Sequence, residues 1–298
     1  MSALSNDTTL ILDGGMGQEL RHRSSKPASP LWSAQVMLDE PELVTAVHRE
    51  FIAAGAQVIT VNTYAATPER LARDGAVEWF EALHGAALDA AHRARDDSGR
   101  DDIIIAGCLP PLVASYHSEV APDDPACVAS YRRIVEAQAG RVDLFLAETL
   151  SLAREAKAAA EAATESGLPV WVALTVADDD GTQLRSGERL IDVAQQAKAS
   201  GAEAVLVNCS APEAITASMS VLGDLGLPFG GYGNGFQSVM ELVPGGTVEG
   251  LSRREELTPE AYARYAADWV DRGARIVGGC CEIGPEHIKV LSEWMTNS

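Results

Sequence analysis

Eight short apolar runs, each set off from the next by an amphipathic, often alanine-rich stretch, constrain the fold of this 298-residue chain more than any other feature. The runs are 10–12, 58–61, 103–106, 144–147, 170–174, 204–207, 228–232 and 275–277. They do not alternate between apolar and polar residues, which is the pattern of strands buried on both faces of a parallel sheet. The stretches between them read as helices over 42–54, 77–95, 127–139, 152–165, 188–199, 212–222, 259–272 and 285–295. The first of these follows Pro41 and stops at Gly55, proline at the start and glycine past the end. Pro259 follows Thr258, whose hydroxyl can cap the helix it opens. Eight strand–helix units in even succession predict an α/β fold: one (β/α)8 TIM barrel domain covering residues 1–298, with elaborated strand-to-helix loops. An open doubly wound sheet is the competing arrangement, and the even spacing without a linker favours the closed barrel. The glycine- and proline-rich stretch 233–258 is the longest irregular region and reads as a functional loop after the seventh strand.

Charge narrows the partners. With 43 acidic and 23 basic side chains the net charge is -20, and such a surface repels phosphate backbones and anionic lipid. Neither nucleic acid nor membrane is an expected partner. The N-terminus carries no basic segment followed by a long apolar one, and no apolar run approaches the roughly 18 residues of a membrane span. These features predict a cytoplasmic protein whose five cysteines stay reduced or bind metal. Oligomeric state is not legible.

In a barrel the chemistry sits at the C-terminal ends of the strands. Polar residues there are Asp13, Asn62, Glu148, Asn208, Cys209, Cys280 and Cys281. The adjacent Cys280 and Cys281 close too small a ring for an unstrained disulfide, but both sulfurs can reach one soft cation. The sixth and eighth strands are two apart in a barrel, so Cys209 can join them. Three thiolates with one open position make a catalytic zinc site, and an incoming thiol would lose its proton there and stay nucleophilic. The implied chemistry is thiol alkylation; the competing reading is three inert buried thiols. Asp13 opens Asp13-Gly14-Gly15-Met16-Gly17, where glycines let main-chain amides approach a carboxylate or simply make a tight turn. Asp13 and Glu148 suit an ammonium group, so an amino-acid thiol would satisfy the whole set. His48, His84 and His92 fall within helices as packing or surface residues. His22 and His117 fall in loops on the active face. Cys108 and Cys127 read as small core residues, and Asp178-Asp179-Asp180 as a solvated turn.

These residues resemble the zinc-dependent homocysteine S-methyltransferases: Asp-Gly-Gly-Met-Gly at 13–17, Val-Asn-Cys-Ser at 207–210 and Gly-Gly-Cys-Cys at 278–281. The likeness runs from Leu12 to about Ile288. Residues 30–34 (Pro-Leu-Trp-Ser-Ala) and 62–67 (Asn-Thr-Tyr-Ala-Ala-Thr) are closest to the members that use S-methylmethionine. The resemblance implies Cys209, Cys280 and Cys281 as Zn2+ ligands and the amides around Gly14, Gly15 and Met16 as the cradle of the homocysteine carboxylate. It also implies Asp13 and Glu148 at the amino group, Asn208 in support, and Tyr64 near the metal. Methyl transfer from a sulfonium or ammonium donor to homocysteine would give methionine, with Tyr64, Trp32 and Phe236 as aromatic walls. The chain departs from the family pattern after the third strand (Ala-Gly-Cys-Leu-Pro-Pro-Leu) and after the seventh (Tyr232-Gly233-Asn234-Gly235-Phe236). Two other readings share the site: selenocysteine or another thiol as acceptor, or a methyl-accepting subunit that works with a corrinoid protein.

Overall fold

The computed structural model describes residues 8–26, 31, 33–246 and 248–297. The strands are β1 (Leu10–Ile11), β2 (Val58–Thr60), β3 (Ile104–Leu109), β4 (Leu144–Leu150), β5 (Val170–Leu174), β6 (Ala204–Asn208), β7 (Phe229–Gly233) and β8 (Ile276–Gly279). They form one sheet in the order β1-β8-β7-β6-β5-β4-β3-β2, and every pairing is parallel. The remaining seam closes through a parallel bridge between Leu12 and Val58 and through the Asp13 amide, which donates to the Val58 carbonyl at 2.9 Å. The fold is therefore the expected (β/α)8 barrel, and the open sheet is excluded.

The helices are α1 (Met16–Arg23), α2 (Ser33–Asp39), α3 (Pro41–Ala53), α4 (Pro68–Arg73), α5 (Phe80–Ser98), α6 (Asp124–Gln138), α7 (Ala153–Thr164), α8 (Leu190–Ala199), α9 (Pro212–Gly223), α10 (Pro259–Asp271) and α11 (Pro285–Asn297). Eight of them are the expected ones, within a few residues at each end. Helices α1, α2 and α4 have no counterpart in the sequence reading, because each is only six to eight residues long, too short for an amphipathic period to stand out. His22 consequently sits in α1 rather than in a loop. Among the described residues no helix is long and apolar enough to cross a membrane.

Strand alternation splits the apolar residues into two clusters, and this split positions the site. Leu10, Leu12, Val58, Ala106, Leu144, Leu146, Trp171, Ala173, Leu206 and Ile276 pack together in the barrel interior. Ile59, Ile105, Phe145, Val172, Val205 and Val277 belong to the larger cluster shared with the helices. Both strand faces are buried, which is why the runs look continuous in the sequence. Following the inward set upward by twos leads from Leu144 and Leu146 to Glu148, from Leu206 to Asn208, and from Ala106 to Cys108. On β8 it leads from Ile276 through Gly278 to Cys280. An apolar plug fills the lower barrel, and the same parity delivers a carboxyl, an amide and two thiols at its top.

Candidate active site

The three cysteines expected to meet do meet. Their sulfurs lie within 4.8 Å of one another, with Cys209 Sγ 2.7 Å from Cys280 Sγ and 3.9 Å from Cys281 Sγ. Strand β7 stands between their two strands and sets the spacing. The Cys209 amide donates to the Tyr232 carbonyl at 3.0 Å, and the Cys280 amide to the Gly233 carbonyl at 2.9 Å.

Alternation alone would point Cys209 away from the barrel axis, because Asn208 already faces inward. Its φ of 50° turns it back. Four non-glycine residues have positive φ among the described residues: Tyr116, Thr149, Cys209 and Glu282. The first three line the central cavity and the fourth follows Cys281. Strain of this kind costs roughly 1–3 kcal/mol per residue and persists where the surroundings enforce it. Here Asn208 supplies part of the enforcement. Its side chain accepts from the Thr149 amide and donates to the Thr149 hydroxyl, both at 2.8 Å. Asn208 thus braces Thr149, which lines the cavity, without lining it itself.

The sulfurs open into a cavity that also exposes Asp13, Tyr64, Tyr116, Glu148 and Tyr232. The Asp13 carboxylate accepts from the Thr60 amide at 2.8 Å. Glu148 accepts from the Cys108 thiol at 3.1 Å and from the Tyr232 hydroxyl at 3.3 Å. Burial pushes Glu148 up to about 7, and burial together with repulsion from Glu148 holds Asp13 well above the usual carboxylate range. Two buried carboxyl groups that each resist ionisation, with no basic side chain paired to either among the described residues, form a place for a cation from outside.

The thiol cluster is similarly frustrated. Hydrogen bonds from Cys280, Cys281 and the Tyr116 hydroxyl draw the Cys209 thiol well below its ordinary value. The Cys280 and Cys281 thiols are held well above it, the Cys209 interaction being the largest cause and burial adding to it. One thiolate forms readily and the second and third repel it. A divalent cation would remove that conflict, and three soft sulfurs suit zinc or a comparable thiophilic ion. Zinc–sulfur bonds of about 2.3 Å place tetrahedral sulfurs roughly 3.8 Å apart. The 3.9 Å pair already fits, and the 2.7 Å pair needs to open by a side-chain rotation. The residues present therefore fit the metal.

Two expectations change. Gly14, Gly15 and Met16 line the cavity, but two of the expected carboxylate-binding amides already have partners: Gly15 donates to the Ile283 carbonyl at 2.9 Å and Met16 to the Gly14 carbonyl at 2.8 Å. Gly14 and Gly15 also let β1 press against the cysteine turn. A Cβ on Gly14 would lie 2.1 Å from the Ile283 oxygen, and one on Gly15 would lie 2.6 Å from the Cys280 oxygen and 3.2 Å from Cys281 Cα. Those are main-chain contacts, so the turn itself has to move. Gly15→Ala is expected to weaken metal binding by tenfold or more without unfolding the barrel. Metal titration beside Gly85→Ala, whose Cβ meets nothing within 4 Å, checks this; equal affinities would show that the glycine is dispensable.

Phe236 is the second correction. It is buried, but it borders a different surface pocket and not the central cavity. Trp32 lies outside the described residues. Tyr64 does line the cavity and its hydroxyl pairs with that of Ser115 at 2.8 Å. The other aromatic walls are Tyr116 and Tyr232, which the sequence reading passed over. Tyr232 was findable, because it occupies an inward position on β7; Tyr116 lies in a loop and gave no signal.

Of the other candidates, Cys108 holds Glu148, and His84 is buried against the Ala66 carbonyl at 3.1 Å. His48 is buried in α3 and burial lowers it to about 3. His92 meets the Arg141 carbonyl at 2.8 Å, and His117 the Leu242 carbonyl at 2.6 Å. Asp178 is more than a solvated turn: it receives the Ala211 amide at 2.8 Å and pairs at 3.0 Å with Arg185, whose guanidinium lies over the Tyr116 ring. The loop after β7 does reach the site, where Leu242, Val243, Pro244 and Gly245 cover the cavity.

Comparison with known proteins gives one consistent result. The family model described as homocysteine S-methyltransferase matches residues 10–295. The homocysteine S-methyltransferase of Escherichia coli is 32% identical, over 97% of this chain and 96% of its own length. The selenocysteine methyltransferase of Astragalus bisulcatus is 28% identical, over 94% and 90%. Among solved structures, the metallated form of the homocysteine methyltransferase MmuM from Escherichia coli superimposes with a TM-score of 0.82 at 29% identity, covering 98% of this chain and 99% of that one.

Proposed function

The chain belongs to the homocysteine S-methyltransferase family, and from that premise we propose a zinc-dependent enzyme, one barrel domain running the length of the chain. It moves a methyl group from a sulfonium or ammonium donor to homocysteine and releases methionine. The observation that carries this reading is the opening of the three-sulfur cluster and the buried Asp13–Glu148 pair into one cavity. Homocysteine carries a thiol for the first and an ammonium group for the second.

Cys209, Cys280 and Cys281 would hold the zinc. When bound, the ion supplies a thiol-binding position at which sulfur stays a nucleophile at neutral pH. Asp13 and Glu148 take the ammonium group, and the Tyr232 hydroxyl and Cys108 thiol fix the Glu148 carboxylate. The ammonium relieves the repulsion between the two carboxyls, so binding stabilises their ionised forms. Tyr64 and Tyr116 line the side of the cavity left for the methyl donor; each ring carries a guanidinium over one face, Arg70 and Arg185, so a positive centre of the donor would use the other. As the acceptor sulfur bonds to the methyl carbon, the donor's carbon–sulfur or carbon–nitrogen bond breaks and its electron pair stays with the leaving group. The donor's positive charge disappears in that step, so a cavity that excludes water and faces negative sulfur favours the transition state. A reducing compartment such as the cytoplasm keeps the thiols available.

The test is methionine formation by purified, zinc-loaded, reduced protein from homocysteine and, separately, S-methylmethionine, S-adenosylmethionine, betaine and a methylated corrinoid. Turnover of the isolated chain with one small donor is expected. No methionine from any of them would overturn homocysteine as acceptor or the independence of the chain. The second reading, a selenol acceptor on the same sulfurs, draws on the selenocysteine methyltransferase relative, and acceptor competition separates the two.

A further inference from the structure

Two of the strained residues around the cavity meet each other. Tyr116 stands in the loop after β3 with φ of 69°, and Cys209 follows β6 with φ of 50°. The Tyr116 hydroxyl lies 3.0 Å from Cys209 Sγ. A bulky ring at positive φ is an outlier that persists only where its surroundings enforce it. The sheet does not supply that enforcement, because β4 and β5 separate β3 from β6.

Arg185, in the loop between β5 and α8, does supply it. Its guanidinium lies 5.0 Å from the Tyr116 ring centroid. Both Asp178 carboxylate oxygens accept from one of its nitrogens at 3.0 Å, and the Thr175 hydroxyl accepts from its Nε at 3.2 Å. These two anchors also hold the cysteine turn. The Thr175 hydroxyl donates to the Cys209 carbonyl at 3.4 Å, and Asp178 accepts from the Ala211 amide at 2.8 Å. One guanidinium is thus tied to the main chain on either side of Ser210 and to the ring whose hydroxyl meets the sulfur. Its burial sets it apart. Among the ion pairs of the described residues it is the most buried basic side chain, 6% exposed against 18% for the next, Arg254. Taking a charge out of water is costly, and a pair that merely tethered a loop could stay at the surface. Arg185 lies behind Tyr116 and outside the cavity lining, so it acts on the site through that ring.

A thiolate bound to a metal can only accept a hydrogen bond, which makes the Tyr116 hydroxyl the donor. A hydroxyl fixed there holds Cys209 Sγ in one direction and draws off part of its charge, as outer partners of metal ligands do. Resting on the three-sulfur metal centre proposed above, we propose that Tyr116 is the hydrogen-bond donor to the Cys209 ligand sulfur and that Arg185 is the positioning residue that keeps it there. The strut prepares one ligand of the centre before the metal arrives.

The experiment titrates reduced, metal-free protein with Co2+ and follows the sulfur-to-cobalt charge-transfer band, then measures Zn2+ affinity by chelator competition. The wild type is compared with Tyr116→Phe, Arg185→Met, Arg185→Lys and the double variant Y116F/R185M, with circular dichroism as the check on folding. Phenylalanine keeps the ring that lines the cavity and removes only the hydroxyl. Y116F is expected to move the band to lower energy, because a sulfur relieved of its hydrogen bond gives up an electron more easily. Zn2+ affinity should fall by about 10-fold or more, the range for outer partners of metal ligands. R185M should shift both readings in the same direction, and R185K should recover part of the loss, since an ammonium still sits over the ring but lacks the planar fork. The double variant should match Y116F, because without the hydroxyl Arg185 has nothing to position. Should R185M not fold, R185K takes its place in both backgrounds, with a partial shift beside Tyr116 and none beside phenylalanine. An unchanged band and affinity in Y116F would overturn the proposal. So would losses that add in the double variant, which would assign Arg185 to the cysteine turn directly. A wild type with no sulfur–cobalt band would overturn the centre and the strut together. Both readings are taken without homocysteine or donor: the expected shifts without methionine formation would sink the reaction and leave the strut standing, and methionine formation without the shifts would do the reverse.

Discussion

Cys281→Ser is expected to lose bound metal and methyl transfer together while the barrel remains folded. A serine hydroxyl does not ionise at neutral pH and is a poor ligand for a thiophilic ion, so the cluster drops from three anionic donors to two. Changes to groups that merely orient metal ligands already cost about 10- to 100-fold, so loss of a ligand should cost more than about 100-fold in both affinity and turnover. The fold should survive because the structural contribution of this residue lies in its main chain: the Cys281 carbonyl accepts from the Gly235 amide at 2.8 Å. The apolar plug below the site does not include it. Metal content by mass spectrometry, circular dichroism and methionine formation form the readout. Cys127→Ser is the matched control, since Cys127 is buried on α6 far from the cluster and bonds the Pro122 carbonyl at 3.3 Å. Full zinc occupancy with normal turnover in C281S would remove the three-sulfur centre from the mechanism.

Glu148→Gln should separate affinity from stability in opposite directions. Burial raises the folded-state value of Glu148 to about 7, above the ordinary value near 4.3 of an unfolded chain. The folded state therefore holds a proton that the unfolded state gives up between those two values. Stability is greatest below the unfolded value and is lost as pH rises through the folded one. Above that pH the wild type carries a buried charge that the amide lacks. The substitution should stabilise the zinc-free, reduced protein at pH 8 by on the order of 1–3 kcal/mol, and make little difference near pH 4.5. The same charge is what the homocysteine ammonium needs. KM for homocysteine should rise about 10- to 100-fold in E148Q, the range for loss of a charge-assisted hydrogen bond. In the wild type KM should fall as pH rises from 6 to 8, and that trend should flatten in the variant. Thermal unfolding across pH and steady-state kinetics check both halves. A variant less stable than wild type at pH 8, with unchanged KM, would make Glu148 a structural carboxylate held by Cys108 and Tyr232.

Much of this molecule was legible in the chain because a closed parallel barrel writes itself locally. Each strand is buried on both faces and shows as a continuous apolar run, and each covering helix ends near a glycine or begins near a proline. Strand ends carry the chemistry in such a barrel, so Asp13, Glu148, Asn208 and the three cysteines could be singled out by position. What the sequence could not announce depends on contacts between distant segments. Cys209 reaches the metal position only because its φ of 50° reverses the direction that alternation assigns, and that conformation is held by neighbours on other strands. Gly14 and Gly15 line the cavity and also make a close approach between β1 and the cysteine turn, which is visible only once that turn is in place. Phe236 read as a wall and faces elsewhere, while Tyr116 reached the sulfur from a loop. Periodicity and burial are properties of neighbouring residues and survive in the one-dimensional chain. The direction of a side chain, and whether a charge finds a partner, are settled when segments far apart in sequence close on each other.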